Sequence, residues 1–187
     1  PGISLIPIIL GDARDERVFL LLQIEGKNEG IDHLRDEVVN ILTHAILDAD
    51  GGVNERLESS LKELNGLLKG FFLSEVVRDI HAIVGVLTQE NILHLSHAGR
   101  AEAYLIRDGS ASQITEYIRG KTSSSFTHIV SGDLEAGDHV IISTQRLLRS
   151  LTPAQLTKII QRGVDVLPSI IHTLEGEKES AVLTHLI

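Results

Sequence analysis

The sequence contains no cysteine, which excludes disulfides, thiol catalysis and zinc-thiolate sites together. That absence suits a reducing compartment, and a cytoplasmic location is expected. Methionine is missing too, even at the first position, so the chain is expected to be part of a longer protein. Aromatic residues make up only 3%, which leaves Leu, Ile and Val to fill the interior. No apolar run approaches the roughly 20 residues that a bilayer-spanning helix needs. The apolar stretch Ile3–Leu10 is short and follows no basic segment, so it is not a signal peptide. No membrane contact is expected within the segment. A formal net charge of −9 without any basic cluster excludes a general nucleic-acid binder, because neutralising phosphates needs a basic face.

What is present is enough for a core. Hydrophobic residues reach 42% of 187, which argues against disorder and suits one domain over residues 1–187. Two strand-length apolar runs, Ile3–Leu10 and Arg17–Glu25, open the chain. A helical stripe follows on Ile31, Leu34, Val38, Ile41, Leu42, Ala45 and Ile46, until Asp50-Gly51-Gly52 breaks it. Val53, Leu57, Leu61, Leu64, Leu67, Leu68 and Phe71 mark a second one-sided helix.

From His81 the period shortens. Ala82–Thr88 and Asn91–Ala98 read as strands. Ala103–Arg107 and Ser112–Thr115 read as a hairpin through Asp108-Gly109, a pair that tolerates positive φ. Thr122–Ser125 reads as a polar loop and His139–Ser143 as another strand. Thr152-Pro153-Ala154-Gln155 combines an N-cap, a first-turn proline and a capping-box glutamine, predicting a helix to about Gln161. Pro168–Leu174 reads as a short helix and Ala181–Ile187 as a closing strand. Two sheets covered by helices fit this order better than an alternating parallel sheet.

The stretch Ile92–Ile160 resembles the second half of a type 2C protein serine/threonine phosphatase domain. Gly99-Arg100-Ala101-Glu102-Ala103-Tyr104-Leu105 is similar to that family's Gly-Asp-Ser-Arg and Ala-Tyr-Leu. Arg107-Asp108-Gly109 and Gln113-Ile114-Thr115 then match its hairpin and Gln-x-Thr. The run from Gly132 to Asp138 resembles its Gly-x-Leu-x-x-Gly-Asp step, and Val140–Ser143 the strand before its Ser-Asp-Gly. Phe19–Gly26 resembles the strand ending in Asp-Gly-x-Gly-Gly, and Glu179-Ser180-Ala181-Val182 the last Asp-Asn-Ile-Thr start. The resemblance covers the chain in element order. It implies an α+β fold: a four-layer α-β-β-α sandwich of two antiparallel sheets flanked by helices.

In that family two divalent ions, Mn²⁺ or Mg²⁺, hold the phosphate and a water between strand-end carboxylates. Hard cations require anionic oxygen, and two of them about 4 Å apart repel unless several negative charges offset them. Here the matched positions are altered. Glu25 stands for the first aspartate, before Gly26. Thr144 and Gln145 replace the aspartate and glycine of Ser-Asp-Gly. Arg100 brings a cation where the family has an aspartate, Glu102 replaces its arginine, and Tyr117-Ile118 replaces Asp-His. Glu179 stands for the last aspartate. Arg14 keeps the Gly-x-x-Arg spacing of Gly11-Asp12-Ala13-Arg14 and is a candidate anion-binding residue, with a solvated turn residue as its plain alternative.

These substitutions imply a degenerate, catalytically inactive member of the family that serves as a regulatory or protein-binding module. No catalytic residue and no metal ligand is assigned, no cofactor is expected, and the partner is another protein or an adjoining domain. The alternative is a divergent Mn- or Mg-dependent phosphatase built on Glu25, Glu179 and either Asp133 or Asp138. His94 and His97, three apart on one strand, face opposite sides and are not expected to share an ion. His81 and the remaining histidines receive no role.

Overall fold

The computed structural model describes residues 2–13, 16–115, 123–144, 146–163, 165–174 and 183–186. Strands β1 (Gly2–Ala13) and β2 (Glu16–Gly26) form a long antiparallel pair, with a register shift between Ile9 and Gly11. β2 is buried on both faces, and alternation sorts its side chains. Val18, Leu20, Leu22 and Ile24 join the core beneath the helices, whereas Phe19 and Leu21 face a second sheet.

Helix α1 (Asn28–Leu42) buries Ile31, Leu34, Val38 and Leu42, each worth about 1.5–3 kcal/mol of apolar transfer. It widens into a π-helical turn over Thr43–Leu47 before α2 (Val53–Leu73) returns with Leu57, Leu61, Leu64 and Leu68 inward. Arg56 is buried at this corner. Its Nη1 donates to the Ile46 carbonyl at 2.6 Å, its Nε to that of Gly51 at 3.0 Å, and its Nη2 to the Glu16 carboxylate at 2.7 Å. One guanidinium thus ties the helical corner to the start of β2.

β3 (Val77–Leu87) and β4 (Ile92–Ala98) continue the first sheet, followed by β5 (Glu102–Arg107) and β6 (Ser110–Gln113) of the second. β7 (Val130–Asp133) rejoins the first sheet, and β8 (His139–Ser143) the second. A 3₁₀ turn at Leu147–Arg149 leads to α3 (Pro153–Gln161), α4 (Val166–Leu174) and β9 (Leu183–Leu186). The sheet orders are β1-β2-β3-β4-β7 and β6-β5-β8-β9, and every pairing is antiparallel.

Three cores give the layers. α1 and α2 cover the first sheet, and Phe19, Leu21, Ile83, Leu93, Ala103 and Ile142 meet between the sheets. Tyr104, Ile106 and Ile141 on the second sheet pack with Leu156, Ile160 and Ile170 of α3 and α4. The expected four-layer α-β-β-α sandwich is the fold observed.

Several boundaries differ from the sequence reading. β3 starts at Val77, not Ala82, because its first turns of alternation carry Arg78, Asp79 and His81 in place of apolar residues. Asp108 and Gly109 both take positive φ, 50° and 74°, so the partner strand begins at once at Ser110 and ends at Gln113. β7 had no apolar run to mark it. α4 begins at Val166, with Pro168 inside its first turn, where a missing N–H costs no helical bond. Among the described residues, no helix is long and apolar enough to cross a membrane.

Candidate functional site

The end of β2, the start of β3, the β4–β5 turn and the end of β8 come together at one end of the sandwich. On β2, Gln23 and Glu25 continue the face that carries Phe19 and Leu21, so they point toward the second sheet. Gln23 is 0% exposed, and so is Thr144 just beyond β8. The Thr144 hydroxyl donates to the Gln23 side-chain oxygen at 2.8 Å, bridging the sheets. Gln23 Nε2 in turn donates to Glu25 Oε1 at 3.3 Å, and Arg78 Nη2 to Glu25 Oε2 at 2.7 Å. The Arg78 guanidinium holds the Glu25 carboxyl below its usual range, burial opposing it more weakly. Glu25 is therefore ionised and paired at neutral pH.

Gln23 and Glu25 lie opposite His81 and Asp79 in the β2–β3 ladder. His81 is 1% exposed, and its Nδ1 accepts the Arg100 backbone N–H at 3.0 Å. Arg100 Nη2 lies 3.0 Å from His81 Nε2, and the Asp79 carboxylate 3.6 Å from the same nitrogen. Asp79 also accepts the Ile80 N–H at 2.9 Å. This closeness depends on Gly99. Its φ is +67°, and a Cβ there would sit 2.0 Å from the Ile80 carbonyl oxygen and 2.4 Å from His81 Nδ1. Gly26 is equally constrained, since its Cβ would lie 2.3 Å from the Val76 carbonyl oxygen. Beside Gly26 a groove of about 870 Å³ opens between the first turn of α1 and Phe72 at the end of α2.

On the far face of the second sheet, Glu102 is buried against the Tyr104 hydroxyl, and Arg146 Nε stands 3.6 Å from its carboxylate. Tyr104 accepts the Leu147 N–H at 3.0 Å, which anchors the turn after Thr144.

Of the positions singled out in the sequence, Glu25, Gly26, Arg100 and Thr144 are placed at this one end. Arg14, Gln145 and Glu179, with Tyr117 and Ile118, lie outside the described residues. Gln23 and His81 link Glu25, Thr144 and Arg100, and neither was singled out. Gln23 had a signal, as the one polar residue inside the apolar run Val18–Ile24; His81 had none. His94 and His97 do lie on opposite faces of β4: His94 bonds Ser131 at 2.7 Å, while His97 alternates with it toward the second sheet. Asp138 works as a turn residue, held by Arg107 at 2.8 and 2.5 Å and accepting the Glu135 N–H at 2.7 Å.

No family model and no curated protein sequence matches the chain. Solved structures do. PppA, a key regulatory component of T6SS in Pseudomonas aeruginosa, superposes with a TM-score of 0.69 at 13% identity, over 98% of this chain and 95% of its own. The S. agalactiae serine/threonine phosphatase gives 0.68 at 12% identity, over 98% and 97%. The catalytic domain of the serine/threonine phosphatase PstP, solved with two manganese ions, gives 0.66 at 15% identity, over 98% and 95%.

The PstP structure corrects the expectation that no cofactor is involved, because manganese is what a neighbour of this fold carries. The donors described here do not fit a pair of such ions. Among the described residues no three His, Asp or Glu are grouped to hold a metal, Thr144 is neutral and committed to Gln23, and Glu25 is committed to Arg78. Fold and donor set thus point in different directions, and at these identities the likeness establishes the fold alone: the chain has the four-layer sandwich of the type 2C serine/threonine phosphatases.

Proposed function

We propose that residues 1–187 form one cytoplasmic domain, a catalytically silent phosphatase-fold module that regulates by binding another protein or an adjoining domain. The observation that carries this reading is the buried Thr144–Gln23 hydrogen bond. It joins the sheets through neutral groups at Thr144, which on this reading stands at the family's central aspartate, where metal-dependent phosphoryl chemistry needs oxyanions. Arg100 beside His81 adds a positive charge to the same end. Glu25, Gly26, Arg100, Thr144, Gln145 and Glu179 are on this reading remnants of a metal centre, and Arg14 the remnant of an anion contact. The regulatory part draws on PppA, a structural neighbour described as a regulatory component. Fold alone does not choose a partner.

The test is turnover of p-nitrophenyl phosphate and of phosphoserine and phosphothreonine peptides by purified protein in millimolar Mn²⁺. Hydrolysis no faster than in buffer is expected, and clear Mn²⁺-dependent turnover removes the silent reading. That result would favour a divergent manganese phosphatase, which the ionised Glu25 opposite Asp79 and the manganese-bearing PstP neighbour support.

A further inference from the structure

We propose that Ser124 is a phosphorylation site for an ATP-dependent protein kinase of the basic-directed class, and that Lys69 receives the phosphoryl group in the groove between this loop and the end of α2. The proposal goes beyond the silent-module reading and does not depend on it.

The polar loop is held on both sides of Ser124. Before it, the Ser123 carbonyl accepts the Gly99 N–H at 2.6 Å. After it, Asn65 of α2 clamps the Phe126 backbone: Oδ1 accepts the Phe126 N–H at 2.9 Å, and Nδ2 donates to the Phe126 carbonyl at 2.8 Å. Ser123 and Ser125 use their hydroxyls on each other, 3.0 Å apart. Ser124 is exposed, and among the described residues its hydroxyl makes no such bond. It is the serine open to an incoming phosphoryl donor. In the sequence Arg119 and Lys121 precede it, and no acid lies between Arg119 and Ser125, a charge pattern that an acidic kinase cleft selects.

The receiving charge is placed by helix spacing. Lys69 follows Asn65 by four residues, hence on the same face of α2, and with Asn65, Ser124 and Ser125 it lines a groove of about 510 Å³. Among the described residues Lys69 is the one charged side chain of that lining, and Phe72 and Leu73 add apolar walls. Transfer breaks the bond from the γ-phosphorus of ATP to its bridging oxygen and forms one to Ser124 Oγ. ADP leaves, and the hydroxyl proton passes to the kinase's base. The phosphoserine carries about −1.5 to −2 charges at neutral pH, which a lysine ammonium meets with a charge-assisted hydrogen bond. Because Ser123 also holds Gly99, the modified loop joins α2 to the turn that sets Arg100 on His81.

The first test adds magnesium ATP and the catalytic subunit of cyclic-AMP-dependent protein kinase, a basic-directed probe, to the folded wild-type protein and to Ser124→Ala. Mass spectrometry maps the phosphate. Incorporation at Ser124 that Ser124→Ala abolishes is expected; no incorporation, or incorporation that Ser124→Ala leaves unchanged, overturns the acceptor assignment. The second test installs phosphoserine at position 124 during synthesis and follows its second ionisation, ordinarily near about pH 6, by ³¹P NMR. In the folded protein it is expected about half a pH unit below its value in urea, an offset that Lys69→Gln removes and Lys69→Arg retains. An ionisation equal in the folded and unfolded protein, or unmoved by Lys69→Gln, overturns the role of Lys69. Lys69 is exposed, so these variants leave the core intact. Phosphatase turnover by the wild-type protein would remove the silent reading and leave the ionisation offset as it stands, so the two failures are distinguishable.

Discussion

The hydroxyl of Thr144 and the side-chain oxygen of Gln23, 2.8 Å apart and both withdrawn from water, join the two sheets by one hydrogen bond. Thr144→Val keeps the shape and removes the Thr144 donation to the buried Gln23 oxygen, which costs about 1–3 kcal/mol. Thr144→Ser retains the hydroxyl and should cost less. The double variant Gln23→Leu/Thr144→Val removes both polar partners and should recover part of the loss, giving a favourable coupling in a double-mutant cycle. Urea denaturation of the four proteins measures it. Additive losses would show that the bond contributes nothing specific.

Gly99 is the second sensitive point. Gly99→Ala places a methyl group 2.0 Å from the Ile80 carbonyl at a φ of +67°. The left-handed backbone alone costs about 1–2 kcal/mol, and relief of the overlap must move Arg100 off His81. Destabilisation of about 2 kcal/mol or more is expected, with a changed His81 ring environment by NMR. An Ala variant as stable as wild type would mean the turn has slack that the structure does not show.

The pH dependence follows from Glu25. Its folded-state pKa is held below its ordinary value of 4.5 by Arg78, so the stabilisation is fully present above that value and is lost as pH falls through the folded one. Arg78→Gln should raise the Glu25 pKa in an NMR titration and flatten the acid limb of the stability curve. Asp138 shifts in the same direction through Arg107, so Arg78→Gln removes only part of the acid sensitivity.

At the opposite end of β2, Arg56 is buried against Glu16, with the Ile46 and Gly51 carbonyls on its other nitrogens. Glu16→Ala leaves a buried guanidinium without its counter-charge, a loss of about 3–5 kcal/mol. Arg56→Met, which removes the charge and keeps much of the volume, should cost less than Glu16→Ala. Thermal melts of the two variants check the order, and the reverse order would mean that the carbonyl bonds outweigh the ion pair.

Much of the scaffold was legible. Apolar residues at spacings of three and four marked α1 and α2. Thr152 and Gln155 form the capping box that their types and spacing announced, with N···O distances of 3.2 and 2.8 Å. Asp108-Gly109 closes its hairpin with both residues at positive φ. All of these are local signals, carried within one or two turns of chain. β7 was not legible, since Val130-Ser131-Gly132-Asp133 is a short, exposed edge strand with one apolar residue. Its assignment comes from pairing with β4, which local composition does not encode.

At the site, the residue types were readable: a glutamate before Gly26, an arginine after Gly99 and a threonine after Ser143. Their relations were not. His81 gains a role only because the β2–β3 register sets it opposite Gln23 and because Gly99 brings Arg100 onto its ring. Gln23 and Thr144, far apart in sequence, meet only where one sheet lies over the other.

The sequence by itself determined the long helices, the tight turns and which stretches carry charge, because helix periodicity, turn chemistry and side-chain charge are properties of short stretches. Tertiary structure alone decided which polar residues meet at one end of the sandwich. Which donor faces which acceptor across the sandwich depends on strand register and sheet stacking, and those are set by the whole core at once.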